Sequence, residues 1–484
     1  MKLYNTLTRK VETITLLRPP EVSIYTCGPT VYNYPHVGNW FTFIRYDLLI
    51  RTLKAEKLRP HWVLNITDVG HLVSDADSGE DKLEKGARLE GKTAWEIAVF
   101  YTIYFIHGLK RLNFTQPEVM PKATEHIPEQ TDIIRQLEAK GITYKIDDGI
   151  YFDTSKFPQY ADFAQLDLDE QQTAVRIEEN PQKKHPTDFA LWKFSPTFAK
   201  RDMEWNSPWG KGFPGWHIEC SAMVLRYLGE TIDIHAGGID HIPVHHTNEI
   251  AQSQSVTGKP LANYWMHTNH ILINDNKIAK SSGNAITLED VEWQLNNSPV
   301  SLQAFRLMVL QSHYRTQSQF DWETLKKALY RLYDLYTLGQ LQHQLNLITK
   351  QPNALTAEQI KVLQTSLLSV MSDDLNTPLF VSLLSRFLVD LKNRTLADQA
   401  ALDALKQLLV FVDDISGLDI SKQKDISITE KEMLNQQNRF WAYAQSTSKD
   451  FTASDKLRTD LLNNHHISVN NYSDREPLWY RVYT

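Results

Sequence analysis

Two short apolar runs on either side of one helical stretch constrain this chain most. Val22 to Tyr25 reads as a buried strand that passes through Cys27 and a Gly-Pro turn into a polar loop holding His36, Gly38 and Asn39. Helical periodicity then runs from Trp40 to Leu58. His61 to Ile66 forms a second apolar strand, closing on Asn65-Ile66-Thr67-Asp68. Strand, helix, strand is a βαβ unit, whose long crossover brings its two strands together in parallel, so the expected fold class is α/β around a parallel sheet. Loops at the carboxyl ends of such strands are where open α/β sheets hold ligands. Gly38 would let a ligand approach the backbone, and the N–H groups of a helix starting near Trp40 would receive a phosphate.

Along the chain the same pattern returns once and then gives way to helices. Residues 1–94 and 194–301 read as two halves of one Rossmann-like domain, separated by an insertion at 95–193 that carries a helix at Ile127 to Lys140 and hairpin-like strands at Thr143 to Phe152. The charged segment Asp75 to Gly91 reads as a loop, and Ile271 to Ile273 as a further strand. Helical periodicity dominates 302–417, a helix bundle, and 418–484 reads as a linker followed by a small mixed C-terminal domain. A chain of 484 residues has ample core for several domains. No apolar run approaches the roughly 20 residues needed to span a bilayer, and the N-terminus lacks a signal-peptide core, so a cytoplasmic protein with no membrane association is expected. The net charge of −7 argues against a protein that coats nucleic acid generally, while allowing a local surface for RNA.

The chemistry gathers in a few places. Only two cysteines occur, which rules out a disulfide framework. Cys220 closes Gly215-Trp216-His217-Ile218-Glu219-Cys220, and in Pro243 to Glu249 the side chains of His245 and Glu249, four apart, project from one helical face. Two thiolates, an imidazole and a carboxylate suit a tetrahedral Zn²⁺, although two ordinary buried cysteines would give the same spacing. Lys277 and Lys280 stand three apart on a polar loop ending in glycine; they suit a polyphosphate or simply a solvated loop. Neither a Walker A motif nor G-x-G-x-x-G is present, so a nucleotide would be held otherwise. In the tail, Phe440, Trp441, Tyr443 and Trp479 alternate with Lys456, Arg458 and Arg481, which fits either stacking on unpaired bases or a small core.

Taken in order, these pieces resemble the cysteinyl-tRNA synthetases, class I aminoacyl-tRNA synthetases. Cys27-Gly28-Pro29-Thr30-Val31-Tyr32 with His36-Val37-Gly38-Asn39 is similar to that family's opening signature and HIGH-type motif. Asn65 to Asp68, Ala123 to Pro128, Asp188 to Lys193, Ser207 to Gly212, Gly215 to Met223, Gly237 to Asp240 and Asn248 to Ser253 follow in family order. Lys277 to Ser281 is similar to the KMSKS motif. The resemblance is dense to about Leu345 and thinner beyond, where Asp373 to Pro378 and Lys449 to Arg458 still fit.

The resemblance implies a cysteine–tRNA ligase that activates L-cysteine with ATP, Mg²⁺ accompanying the nucleotide, and passes it to the 3′ end of tRNA(Cys). It implies one Zn²⁺ held by Cys27, Cys220, His245 and Glu249, and an amino-acid pocket lined by Gly28, Thr67, Trp216, His217, His246 and Asp240. It places His36, Gly38, Asn39, Lys277 and Lys280 on ATP, with His36, Asn39 and the two lysines catalytic, and Asp455, Arg458 and Trp479 on tRNA; a monomer is expected. Asn39 in place of the motif's second histidine, Ile278 and Ala279 in place of Met and Ser, and Thr247 where many members carry glutamate depart from the pattern, while both lysines and all four metal-binding residues are kept. Two other readings share these residues: a ligase joining cysteine to an amino sugar, and a non-catalytic RNA-binding relative.

Overall fold

The structure, a computed structural model, describes residues 1–70, 82–166, 180–196, 201–273, 276–277, 285–344, 347–349, 351–448, 450–470 and 478–481. It divides into two compact units, Met1–Asp290 with Tyr314–Phe320, and Val291–His313 with Asp321–Thr484.

In the first unit, β1 (Lys2–Asn5) and β2 (Lys10–Thr13) form an antiparallel hairpin. Strands β3 (Glu21–Thr26) and β4 (Arg59–Leu64) flank α1 (Val37–Ala55) and pair in parallel from Glu21↔Arg59 to Thr26↔Leu64. Helix α1 therefore starts three residues before the expected Trp40, because His36 caps it. Strand β4 stops at Leu64 rather than Ile66, since Asn65 turns its side chain back to the neighbouring strand end. Residues 82–90, expected as loop, are helix α2 (Lys82–Glu90), followed by α3 (Ala94–Arg111), which a Thr93/Glu96 capping box starts.

The insertion contributes α4 (Ile127–Ala139) and the strands β5 (Thr143–Ile146), β6 (Gly149–Phe152) and β7 (Phe189–Phe194) of an antiparallel sheet, which β8 (Gly212–Pro214), from beyond the expected insertion, completes. The chain then forms α5 (Trp216–Tyr227), β9 (Ile232–Gly238), α6 (Thr247–Thr257) and β10 (Ala262–Thr268). The main sheet has the order β10-β9-β3-β4, every pair parallel. Its inner strands are buried over most of their length because both faces are covered. Ile134, Phe152 and Trp192 of the insertion pack in one cluster with Ile218 and Ala222 of α5 and Ala251 of α6, so the helices bearing Cys220 and Glu249 are wedged from behind. A small sheet joins β11 (Ile271–Ile273) to β12 (Asn276–Lys277) and to β13 (Ser318–Phe320).

The second unit is helical: α7 (Ser301–Leu310), α8 (Trp322–Leu341), α9 (Ala357–Ser372), α10 (Thr377–Asn393), α11 (Gln399–Ser416), α12 (Ile428–Tyr443) and α13 (Thr452–His465), with a terminal hairpin of β14 (Ile467–Asn470) and β15 (Leu478–Arg481). Asp321, Thr356, Asn376, Asp398 and Ser427 each cap a helix start through a side-chain oxygen, so these boundaries are written in the sequence. Gly339, inside α8, lets the Ile420 carbonyl approach so closely that a Cβ would lie 1.9 Å from its oxygen. Gly339→Ala should force the two segments apart and destabilise this unit by about 1–3 kcal/mol, read as a lowered urea midpoint in its unfolding transition.

Candidate metal centre and its surroundings

The centre is assembled at strand ends. Cys27 follows β3 directly, and its N–H donates to the Ala236 carbonyl of β9 at 3.1 Å, fixing the thiol over the sheet edge. Cys220 sits one turn into α5 rather than at the strand-to-helix junction its neighbours suggested. His245 belongs to a π-helical turn, Ile242–His246, that runs straight into α6, where Glu249 lies in the first turn. Such wide turns re-aim side chains within a helix. His245 Nε2 stands 2.9 Å from Glu249 Oε1.

One ligand atom from each of Cys27, Cys220, His245 and Glu249 lies within 4.8 Å of every other, and all four residues are buried. A tetrahedral ion with bonds of about 2.0–2.3 Å has edges of about 3.3–3.8 Å, so small side-chain adjustments close this set around a cation. Glu249 Oε1 is buried with His245 Nε2 as its near polar neighbour and forms no well-aligned hydrogen bond, so a cation between the two would take the place of that ion pair. A second quartet, Cys27, His235, His246 and Glu249, meets the same spacing. It shares two residues with the first but offers a single sulfur, making it the harder donor set.

Electrostatics favour charged donors. Burial pushes the Cys27 thiol well above its ordinary range, while the hydrogen bond from Cys27 holds Cys220 below it, so the pair retains one proton. Burial would raise Glu249, but His235 and His245 outweigh it and keep the carboxylate ionised. Burial would lower His245, yet Glu249 and Cys220 lift it to about 10. His246 and His267 are pushed the other way by burial and by neighbouring histidines. They form a chain in which Cys27 Sγ stands 3.3 Å from His246 Nε2, His246 Nδ1 stands 2.7 Å from His267 Nε2, and His267 Nδ1 stands 2.7 Å from Thr6 Oγ1. Gly237 makes room for it: a Cβ there would lie 2.4 Å from His246 Cε1.

The other expected residues fall into place unevenly. Trp216, the first residue of α5, packs its ring 4.7 Å from that of His245, and His217 Nδ1 lies 3.0 Å from His245 Nδ1. Asp240 sits in a short turn after β9, half exposed, 3.1 Å from His270 Nε2. Gly28 and Thr67 are joined through Asn65. At the start of α1, His36 Nδ1 accepts from the Asn39 N–H and Asn39 Oδ1 accepts from the His36 N–H. The Val37 N–H donates to the Ile286 carbonyl. Among the described residues this leaves the Gly38 N–H as the one first-turn donor without a partner, fewer than a bare helix start would offer.

Lys277 lies in β12, paired to Leu272; Lys280 lies outside the described residues. Asp455 and Arg458 pair at 3.0 Å on an exposed face of α13. Trp479, expected on a stacking surface, is instead buried with Leu434, Leu461, Ile467 and Val469, because the small terminal domain needs its ring as core. Among the described residues, the exposed rings of that region are Phe440 and Tyr443. His235 and His267 were not singled out from sequence; the available signal was a histidine inside each of two largely buried strands.

Comparison with known proteins agrees with this arrangement. Residues 13–330 match the model of the tRNA synthetases class I (C) catalytic domain. A cysteine–tRNA ligase of Treponema denticola is 47% identical over 328 residues, covering 68% of this chain and 66% of that protein. Cysteine–tRNA ligases of Novosphingobium aromaticivorans and Chlorobium chlorochromatii are 40% and 37% identical, covering 95% and 96% of this chain and 93% and 96% of their own. In fold alone, the chain is similar to Mycobacterium tuberculosis methionyl-tRNA synthetase bound to methionyl-adenylate, with a TM-score of 0.59 at 14% identity over 83% of this chain and 92% of that one. With its class I catalytic domain and relatives matched nearly end to end, the chain belongs to the cysteine–tRNA ligase family.

Proposed function

We propose that this protein activates L-cysteine with ATP, releasing pyrophosphate, and transfers the cysteinyl group to the 3′ end of tRNA(Cys). The observation that carries the reading is the convergence of Cys27, Cys220, His245 and Glu249 in one buried cluster of a chain from this family. These four residues would hold Zn²⁺, which, when bound, supplies a soft Lewis acid that accepts the substrate's thiolate far better than serine's hydroxyl. A shape-based pocket discriminates such near-isosteres only weakly, so metal recognition removes the need for editing.

The substrate carboxylate attacks the α-phosphorus of ATP, and the bond to the pyrophosphate oxygen breaks. In the second step a ribose hydroxyl of the terminal tRNA nucleotide attacks the acyl carbon, and AMP leaves as the proton passes to solvent or phosphate. The chain contributes mainly position and charge. Because His36 Nδ1 accepts from Asn39, its ring hydrogen sits on Nε2, a donor suited to a phosphate oxygen. Asn39 likewise spends Oδ1 on the cap and keeps its amide hydrogens for ATP. The Gly38 N–H adds a third donor, Lys277 and Lys280 would neutralise charge developing on the phosphates, and Mg²⁺ would accompany the nucleotide. Trp216, His217, His246 and Asp240 would complete the amino-acid side. The exposed Asp455 and Arg458 remain the proposed tRNA contacts of the tail, and Trp479 acts there only by supporting the fold. We read the chain as a cytoplasmic monomer; among the described residues no helix is long and apolar enough to cross a membrane.

Cysteine-dependent ATP–pyrophosphate exchange together with charging of tRNA(Cys) tests the reading; exchange without charging would favour a ligase for an amino sugar, and no exchange a binding role. Cys220→Ser should lose zinc, measured by metal analysis, and cysteine-dependent exchange together. Lys280→Ala should keep its zinc while exchange slows by about 100-fold.

A further inference from the structure

The loop Asn65 to Asp68 is held from several directions. The Thr67 N–H donates to the Pro29 carbonyl at 3.0 Å, and the Thr67 carbonyl accepts from the Val31 N–H at 3.1 Å. The Ile66 N–H and carbonyl are both engaged with residues 121–123, and Asp68 accepts from the Thr124 N–H at 2.9 Å and its hydroxyl at 2.7 Å. Both backbone polar groups of Thr67 are therefore occupied, which leaves its side chain to do any recognition.

Asn65, 1% exposed, sits between that side chain and the residue after Cys27. Its Oδ1 accepts from the Gly28 N–H at 2.7 Å, and its Nδ2 donates to Thr67 Oγ1 at 3.0 Å. The first bond can be made only by the oxygen end of the amide, so the nitrogen end must face Thr67. Thr67 Oγ1 accordingly accepts, and its own hydrogen is left to donate elsewhere; among the described residues nothing receives it. Gly28 is the mirror case, with its N–H taken and, among the described residues, its carbonyl unclaimed. The approach is tight: a Cβ on Gly28 would lie 1.6 Å from the Asn65 carbonyl oxygen.

The geometry points to Asn65 as a positioning residue that sets the polarity of the amino-acid subsite, turning a hydroxyl hydrogen of Thr67 toward the substrate carboxylate and a carbonyl of Gly28 toward its ammonium. This rests on the reading of the site as a cysteine activator. A hydroxyl donor and a carbonyl acceptor bridged by one amide are complementary in kind to the carboxylate and ammonium of an α-amino acid zwitterion, and replacing the donor end of Asn65 by an acceptor removes that complementarity without removing bulk.

Asn65→Asp is nearly isosteric and still accepts from Gly28, but presents an oxygen to Thr67, whose hydroxyl must then turn inward to donate. Cysteine KM in ATP–pyrophosphate exchange should rise at least about tenfold, with zinc content unchanged and ATP KM within about twofold of wild type. Thr67→Val should raise cysteine KM similarly, and the double variant should be no worse than about twofold beyond the weaker single variant, because both remove one interaction. Asn65→Asp with full zinc and wild-type cysteine KM, or losses that multiply in the double variant, would overturn the assignment. Should Asn65→Asp fail to fold, Thr67→Val carries the test, and a wild-type cysteine KM there overturns it equally. Wild-type protein lacking cysteine-dependent exchange would bring down the underlying reading and this inference together, whereas a failure confined to the variants brings down only the part given to Asn65.

Discussion

The parallel pairing of β3 with β4 on one side and β9 on the other is the constraint on which everything else hangs. It delivers Cys27, Asn65 and Gly237 to one edge of the sheet, from segments up to about two hundred residues apart in sequence. Parallel strands cannot be joined by tight turns, so each return requires a crossover, and the crossovers here are the helices that carry the remaining chemistry. Helix α5 brings Cys220, and the π-helical turn before α6 brings His245 with Glu249 one turn beyond. The insertion's core braces both helices from behind, which makes it part of the centre's scaffold.

Burial then decides what these side chains are. Two thiols, a carboxylate and several imidazoles removed from water would be costly if each stood alone. Here they offset one another: Glu249 is kept ionised by His235 and His245, and Cys220 is kept low by the hydrogen bond from Cys27. The result is a pocket carrying negative charge in an apolar cluster with Val63, Val69, Met223 and Trp265, a setting in which a cation is the natural complement.

Much of this was legible in the residues. The βαβ pattern announced the parallel sheet, and the 3.6-residue periodicity announced the helical unit, in which Ser, Thr, Asp or Asn caps five helix starts among the described residues. The convergence of Cys27 and Cys220 was not readable from spacing, because 193 intervening residues carry no geometric information; family likeness supplied it. Periodicity placed the start of α1 near Trp40, whereas His36 caps the helix and the start falls at Val37. Trp479 misled for a different reason: a tail of aromatic and charged residues looks the same in sequence whether its rings face solvent or pack inward, and a domain this small spends a tryptophan ring on its own interior. The polar bridge at Asn65 had no sequence signature at all, since its meaning lies in which end of an amide faces which neighbour.

The reciprocal cap at the head of α1 has a consequence for how this enzyme can vary. His36 and Asn39 are at once the anchors of a nineteen-residue helix and the groups we propose to meet the nucleotide. Selection for turnover and selection for fold stability therefore act on the same two side chains, and neither can drift to suit one demand without being judged by the other. Adaptation of this protein to a new temperature would have to come from positions elsewhere, leaving this doubly burdened corner the slowest to change.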